Sequence, residues 1–306
     1  MTATVTGGKT REENEQGQGQ EELKLQQGGR KLREHEGRAL TPEQVKDLCF
    51  SLTKHPRVKA FPVSNAPEDV PAGMQIKTVY FVRHAEALHN EAFKIRGRAA
   101  YADPSFLDPK LTKLGVSQCL ALKPSVEAIQ SSIDLVVVSP LRRALMTAAL
   151  AFDHRREVSW IALETVRERI GKNTCDKRRR RGVLEAEYPD VDFENIGEED
   201  TRWTEHHRET PAEMAERGLE FLAWLRGRPE DRIGVVTHSA FLSTLFAEVF
   251  ECADPAMSRW GGTDRGERFW RTEQKSAYIS LTKWCENRRH SKYHMIRLFL
   301  FPICKN

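Results

Sequence analysis

Three short apolar runs, each ending in polar or cationic residues, constrain this chain more than any other feature. Ile76-Lys77-Thr78-Val79-Tyr80-Phe81-Val82 ends in Arg83-His84; Ile133-Asp134-Leu135-Val136-Val137-Val138 ends in Ser139-Pro140-Leu141-Arg142-Arg143; Ile233-Gly234-Val235-Val236-Thr237 ends in His238-Ser239. Runs of this length, rich in β-branched residues and alternating with helical patterns, are buried strands of a largely parallel sheet, so the expected class is α/β. Ligands of open α/β sheets bind in the crevice outside the carboxyl ends of the strands. Two histidines and several arginines should therefore meet in one place.

The intervening sequence supplies helices. Ser139 is placed as an N-cap and Pro140 at N1 of a helix running from Leu141 to Phe152, whose N-terminus would add amide donors to an anion site. Thr210-Pro211-Ala212-Glu213 is a capping box with proline at N1, and Met214, Phe221, Leu222 and Leu225 follow at helical spacing, as in a helix packed on a sheet. Further strands are expected at Ala277 to Leu281 and Met295 to Phe301. Residues 1–40, rich in Gln, Glu, Gly, Lys and Arg, are expected to be a disordered tail, because they hold too little apolar surface to offset the entropy of ordering. Residues 41–74 are read as a short helix, opened by Thr41-Pro42-Glu43, and a proline-rich connector from Pro56 to Pro71. The functional domain is placed at 75–306.

Composition excludes several classes. Net charge is +4 with 30% charged residues of both signs interspersed, which does not mark a nucleic-acid binder. Apolar runs fall short of the roughly 20 residues a membrane-spanning helix needs. The six cysteines (Cys49, Cys119, Cys175, Cys252, Cys285, Cys304) form no C-x-x-C pair and read as reduced thiols. The N-terminus shows neither an apolar signal core nor the acid-poor composition of a transit peptide, so a cytoplasmic location is expected, with nuclear access left open.

Four ordered elements carry a resemblance. Arg83-His84-Ala85 with Asn90, Asp108-Pro109-Lys110-Leu111-Thr112-Lys113-Leu114-Gly115, Ser139-Pro140-Leu141-Arg142-Arg143-Ala144 and Val236-Thr237-His238-Ser239 resemble the R-H-G/A, D-x-x-L-T-x-x-G, S-P-L-x-R-A and second-histidine elements of the histidine phosphatase (phosphoglycerate mutase-like) superfamily. Arg167-Glu168 and Thr174-Cys175-Asp176-Lys177-Arg178 are similar to its eukaryotic phosphoglycerate mutase-like/phosphatase branch. The resemblance spans roughly residues 75 to 250 and implies a three-layer αβα fold around a mostly parallel sheet.

The chemistry it implies makes physical sense. A phosphate ester is anionic and repels nucleophiles, so its charge must be neutralised while a nucleophile is held in line. Arg83 and Arg142 are expected to neutralise it, with Arg142 favoured over Arg143, which is read as a surface ion-pair former. His84, as a neutral imidazole, is the implied nucleophile, and His238 the second histidine on the phosphoryl group. Glu168 is the expected general acid, Asp176 its rival, and Glu86 is read as structural. Asn90, Ser239, Lys177 and Arg178 complete the expected substrate contacts. The basic run Lys177 to Arg181 is weighted toward a solvated loop, partly neutralised by Glu194 to Asp200. His206 and His207 are read as surface residues, and neither a metal nor a cofactor is expected.

Two departures from the family differ in weight. Ala85 and Ser239 replace common glycines, and the alanine says little about activity; more telling, Glu91 to Arg96 does not resemble the stretch by which glycolytic mutases hold their substrates. The expected activity is therefore hydrolysis of small phosphorylated metabolites, sugar phosphates among them, through a phosphohistidine. A phosphomutase is the second reading and a catalytically silent phospho-ligand binder the third.

Overall fold

The computed structural model describes residues 58–62, 75–155, 157–253 and 293–300, all within one compact unit, Leu40–Asn306. The tail at 1–40, the helix expected after Thr41 and the strand expected at Ala277 to Leu281 lie outside the described residues. In chain order the strands are β1 (Val58–Pro62), β2 (Gln75–Arg83), β3 (Leu135–Val138), β4 (Ser159–Ala162), β5 (Arg232–Thr237), β6 (Phe250–Cys252) and β7 (Tyr293–Leu300). The helices are α1 (Leu88–Arg96), α2 (Ala99–Ala102), α3 (Lys113–Gln130), α4 (Arg142–Ala151), α5 (Arg181–Glu187), α6 (Pro211–Arg226) and α7 (Ser239–Thr244).

The strands form one sheet in the order β4-β3-β5-β2-β7-β1-β6. Strands β4, β3, β5 and β2 run parallel, while β7 lies antiparallel between β2 and β1. Strand β1 falls within the segment read as a connector. Flanking prolines hid a short alternating strand, in which Val58 and Ala60 are buried and Lys59 and Phe61 half-buried.

Residues 79 to 82 of β2 are all buried, because both faces of the sheet are covered. Val79, Phe81, Val137, Ile233 and Val235 pack with Phe221, Leu222 and Phe241 of α6 and α7. Tyr80, Val82, Val136, Val138 and Val236 pack on the other face with Leu122, Val126, Ala144 and Leu145 of α3 and α4. The result is the expected three-layer αβα arrangement. Phe81 anchors it edge-on against Phe221 and Phe246 at 6.5 and 6.1 Å; truncating a phenylalanine so enclosed typically costs about 3–5 kcal/mol.

The capping box of α6 is present, with Thr210 Oγ accepting from the Glu213 amide and Pro211 at N1. Helix α4 starts differently from expectation. Its N-cap is Leu141, and the Arg142 amide donates to the Asp108 carboxylate at 2.9 Å, so a buried side chain already occupies a donor expected to await an anion. Asp108 adopts φ 45° to reach there, a conformation aspartate tolerates better than most residues. Thr112, four residues on, caps α3 through the Gly115 amide. A Cβ on Gly115 would lie 2.1 Å from the Glu86 carbonyl, so the glycine allows α3 to approach the loop after β2.

Candidate active site

Strand register brings the two histidines together. Arg83 of β2 pairs with Thr237 of β5, and the His84 amide extends the ladder to the Thr237 carbonyl at 2.9 Å. The next residues, His84 and His238, therefore stand side by side, with ring centroids 4.9 Å apart. Val138 of β3 pairs with Val236, which brings Ser139 alongside, and its Oγ lies 2.7 Å from His238 Nε2. His238 Nδ1 is buried and has no hydrogen-bond partner among the described residues.

Geometry also sets the tautomer of His84. Nδ1 faces the Ala85 carbonyl at 2.7 Å and must carry the proton to donate to it. Nε2 then keeps its lone pair and accepts from Arg143 Nε at 3.3 Å. Burial, then the nearby charges of Arg143 and Arg83, hold the His84 pKa well below its ordinary value. His238 is depressed likewise, by burial first and Arg143 second. Both imidazoles are thus neutral at physiological pH.

Arg143, not Arg142, is the guanidinium at this centre. It is fully buried, donating Nη1 to the Cys175 carbonyl at 2.7 Å and Nη2 to Asp176 at 2.9 Å while Nε faces His84. Arg142 turns away to Glu187 at 3.0 Å. In the S-P-L-x-R-A pattern the arginine is the fifth residue, which is Arg143, and reading the element position by position would have identified it. Arg83, half-buried at the end of β2, acts through its charge on His84 and His89.

Glu168 lies on the loop after Val166 and completes the cluster. Its Oε1 accepts from the amides of Ala240 and Arg169 at 3.0 and 3.1 Å, and Oε2 lies 3.5 Å from Ser239 Oγ. Ligand atoms of His84, Glu168 and His238 all fall within 4.8 Å of one another. Two neutral imidazoles and a carboxylate could also ligate a divalent metal.

The remaining expected residues divide. Ser239 belongs to the site through Glu168. Asp176, the rival acid, is buried between Arg143 and Arg208, and those charges hold its pKa below the usual carboxylate range against the opposing effect of burial; it orients Arg143. Asn90 turns inward locally, its Oδ1 accepting from the Ala87 amide at 3.0 Å and Nδ2 donating to His89 Nε2 at 3.1 Å. Arg178 is not presented to a substrate either. It is buried, pairing with Glu164 at 2.6 Å and donating to the carbonyls of Gly197 and Glu199. Lys177 lies over the Trp203 ring at 4.6 Å. Arg180 and Arg181 pair with Glu198, so the acidic stretch does neutralise part of the basic run. Glu86 is structural, bonded to Thr112 and Lys94.

His89 was missed. It is buried, its ring centroid 6.2 Å from that of His84 and 5.5 Å from that of Tyr101, and burial, chiefly, pushes its pKa down to about 3. Its helical spacing gave no chemical signal, since α1 begins only at Leu88.

The family model described as the histidine phosphatase superfamily (branch 1) matches residues 79–287, more than half of the chain. A phosphoglycerate mutase-like protein of Arabidopsis thaliana is 32% identical over 209 residues, covering 58% of this chain and 77% of that protein. Phosphoglycerate mutase-like protein 1 of the same plant is 36% identical over 207 residues, covering 58% and 73%. Among solved structures, the α-ribazole phosphatase of Shigella flexneri matches with 22% identity and a TM-score of 0.39, over 60% of this chain and 84% of that one.

Proposed function

We propose, from the premise that this chain belongs to the histidine phosphatase superfamily, branch 1, and is similar to its eukaryotic phosphoglycerate mutase-like members, that it hydrolyses phosphomonoesters of small metabolites through a phosphohistidine on His84. The observation that carries this reading is the unprotonated Nε2 of a neutral His84 facing the buried Arg143 guanidinium, in a cluster where one ring nitrogen each of His84 and His238 and a carboxylate oxygen of Glu168 lie within 4.8 Å of one another.

In the first step His84 Nε2 attacks phosphorus and the ester P–O bond breaks. Glu168 gives its proton to the departing oxygen, releasing the alcohol. Arg143, freed from Nε2 by the arriving phosphoryl group, donates to its oxygens, Arg83 completes the charge neutralisation, and the neutral His238 ring adds a hydrogen bond through Nδ1. In the second step water attacks phosphorus, Glu168 takes its proton, the P–N bond breaks and phosphate leaves. His84 and Glu168 end as they began. None of these steps calls for a metal.

The names of the Arabidopsis relatives keep a phosphomutase as the second reading. A mutase must retain its phosphoryl group and return it to the same molecule, so isomerised monoester rather than free phosphate would accumulate. A small phosphorylated molecule is the proposed partner. The buried Cys175 thiol fits a reducing, cytoplasmic compartment, and among the described residues no helix is long and apolar enough to cross a membrane.

The test is phosphate release from an aryl phosphate and a panel of sugar phosphates with EDTA present, for the wild type and His84→Ala. Expected is EDTA-resistant turnover that falls at least about 1,000-fold in the variant, as removal of a covalent nucleophile does. Turnover abolished by EDTA and restored by a divalent ion would transfer the chemistry to a metal on the His84, Glu168 and His238 set.

A further inference from the structure

We infer that Arg217, on α6 and outside the cluster just described, is a positioning residue for the general acid: it fixes the backbone that aims Glu168. The inference rests on Glu168 being the acid.

A guanidinium has five N–H donors in a rigid fork, and Arg217 engages all five within one small volume. Nε and one Nη2 hydrogen go to the two carboxylate oxygens of Glu209, both at 2.7 Å. Both Nη1 hydrogens go to main-chain carbonyls, of Thr165 at 2.8 Å and Arg167 at 2.9 Å, and the second Nη2 hydrogen reaches the carbonyl of Glu168 itself at 3.2 Å. The acid-bearing segment thus presents three carbonyls to one side chain that is only 3% exposed. Burying such a charge is costly unless every donor is matched, so the guanidinium is satisfied only when residues 165–168 follow this path.

Arg217 also reaches the other side of the acid. Its guanidinium lies over the Phe241 ring at 5.0 Å, and Phe241 adjoins Ala240, whose amide holds Glu168 Oε1 at 3.0 Å. Glu209 completes the clamp, its Oε2 accepting from the Ile170 amide at 3.0 Å. The peptide that carries the carboxylate and the helix that orients it therefore share one anchor. Glu209 neutralises the charge of Arg217, so the anchor acts by geometry and not by its field. Displacing a reacting group by about 1 Å can cost roughly 100-fold in rate.

The consequence is selective. An aryl leaving group departs as a stable anion and needs little proton donation, whereas an alkyl alkoxide cannot leave unprotonated. Misaiming the acid should slow only the second.

The experiment compares kcat/KM, which reports the step that forms phosphohistidine, for p-nitrophenyl phosphate and β-glycerophosphate. Glu168→Gln is the reference, Arg217→Lys the main variant because three donors cannot span five acceptors, and Glu209→Gln a second variant should the lysine protein not fold. Expected for Arg217→Lys is a loss of about 30-fold on the alkyl ester with less than about threefold on the aryl ester, a fraction of the roughly 100-fold a general acid contributes. Glu209→Gln should show the same split at smaller size. If Glu168→Gln shows the split but both clamp variants slow the two esters equally, or neither, Arg217 has no positioning role and the proposal is overturned. If Glu168→Gln itself shows no split, the acid assignment fails first.

Discussion

At the carboxyl ends of β2 and β5, His84 and His238 stand one residue beyond the last ladder pair, whereas Glu168 and the head of Arg143 depend on the long, mostly irregular connection between β4 and α6. The first pair is placed by backbone register, which follows from alternation and burial in the strands. The second is placed by charge. Arg167 is fully buried, held by Glu164 at 2.6 Å and Asp200 at 2.7 Å, and Arg208 links Asp176 to the carbonyls of Arg169 and Gly171. A sheet can position a side chain with its own hydrogen bonds. A loop that must hold a carboxylate in a fixed place needs something else to satisfy its backbone, and here guanidinium groups accept that role. The difference predicts how each half fails: the strand end by losing chemistry, the loop by losing shape.

The sharpest contrast lies between adjacent arginines of α4. Arg143→Gln removes the donor facing His84 Nε2 and leaves Arg208 as the remaining ion-pair partner of buried Asp176 among the described residues, so kcat/KM should fall about 100- to 1,000-fold, the range for loss of one such donor. Arg142→Gln loses only its ion pair to Glu187 and should stay within about threefold of wild type. Steady-state kinetics on p-nitrophenyl phosphate decides; equal losses would restore Arg142 to the site and erase the distinction between its two neighbouring side chains.

Next in size is stability in the loop half. The Asp200 carboxylate accepts from both Nη atoms of Arg167 at 2.9 and 2.7 Å and from the Arg178 amide at 2.9 Å. Asp200→Asn keeps the shape but removes the charge, leaving Arg167 with Glu164 as its remaining ion-pair partner. Breaking a buried pair in this way should cost about 3 kcal/mol, read as a lowered urea midpoint with unchanged slope. His238→Gln, in the strand half, should cost about 1 kcal/mol while abolishing most activity. A loop variant that lost activity without stability would show that the arginine web serves the chemistry more directly than the shape.

The two halves were also unequally legible. The strands β2, β3 and β5 could be read from their apolar runs because both faces of the sheet are buried, and burial on both faces leaves a continuous signal. The convergence of His84 and His238 could be read from their places after β2 and β5, and Glu168, which the resemblance singled out, lies in the same cluster. The loop could not be read the same way. Arg178 and Arg167 are indistinguishable in sequence from the exposed Arg180, because a buried guanidinium is defined by carbonyls distant in the chain, such as Gly197 and Glu199 for Arg178. Arg142 and Arg143 differ by one helical step, about 100° around α4, and a strand-end argument does not resolve which points inward. Strand β1 was obscured by prolines, although its alternation was present.

The smallest effect separates the halves by pH. His89 keeps a pKa near 3 in the folded protein, against an ordinary 6.5, so it stays neutral while the unfolded chain takes up a proton. Its contribution to stability is therefore present above pH 6.5 and lost as pH falls toward 3. His84 and His238 act with the same sign. Asp108 opposes them: burial raises it to about 6 from 3.8, so its contribution is present below 3.8 and lost as pH rises through about 6. The depressed carboxylates of the loop half, Asp176 and Asp200, keep their contribution above the ordinary 3.8 and lose it only as pH falls through their lower folded values. Mild acid should thus strain the histidine half first. His89→Gln retains an acceptor for Asn90 and removes one titrating ring, so the stability lost between about pH 7 and 5.5 should shrink by about 1 kcal/mol relative to wild type. Urea titrations at the two pH values measure it. An unchanged loss would mean that His89 is protonated in the folded protein, paired with the negative charge of Asp176, and that the electrostatic division between the halves is drawn in the wrong place.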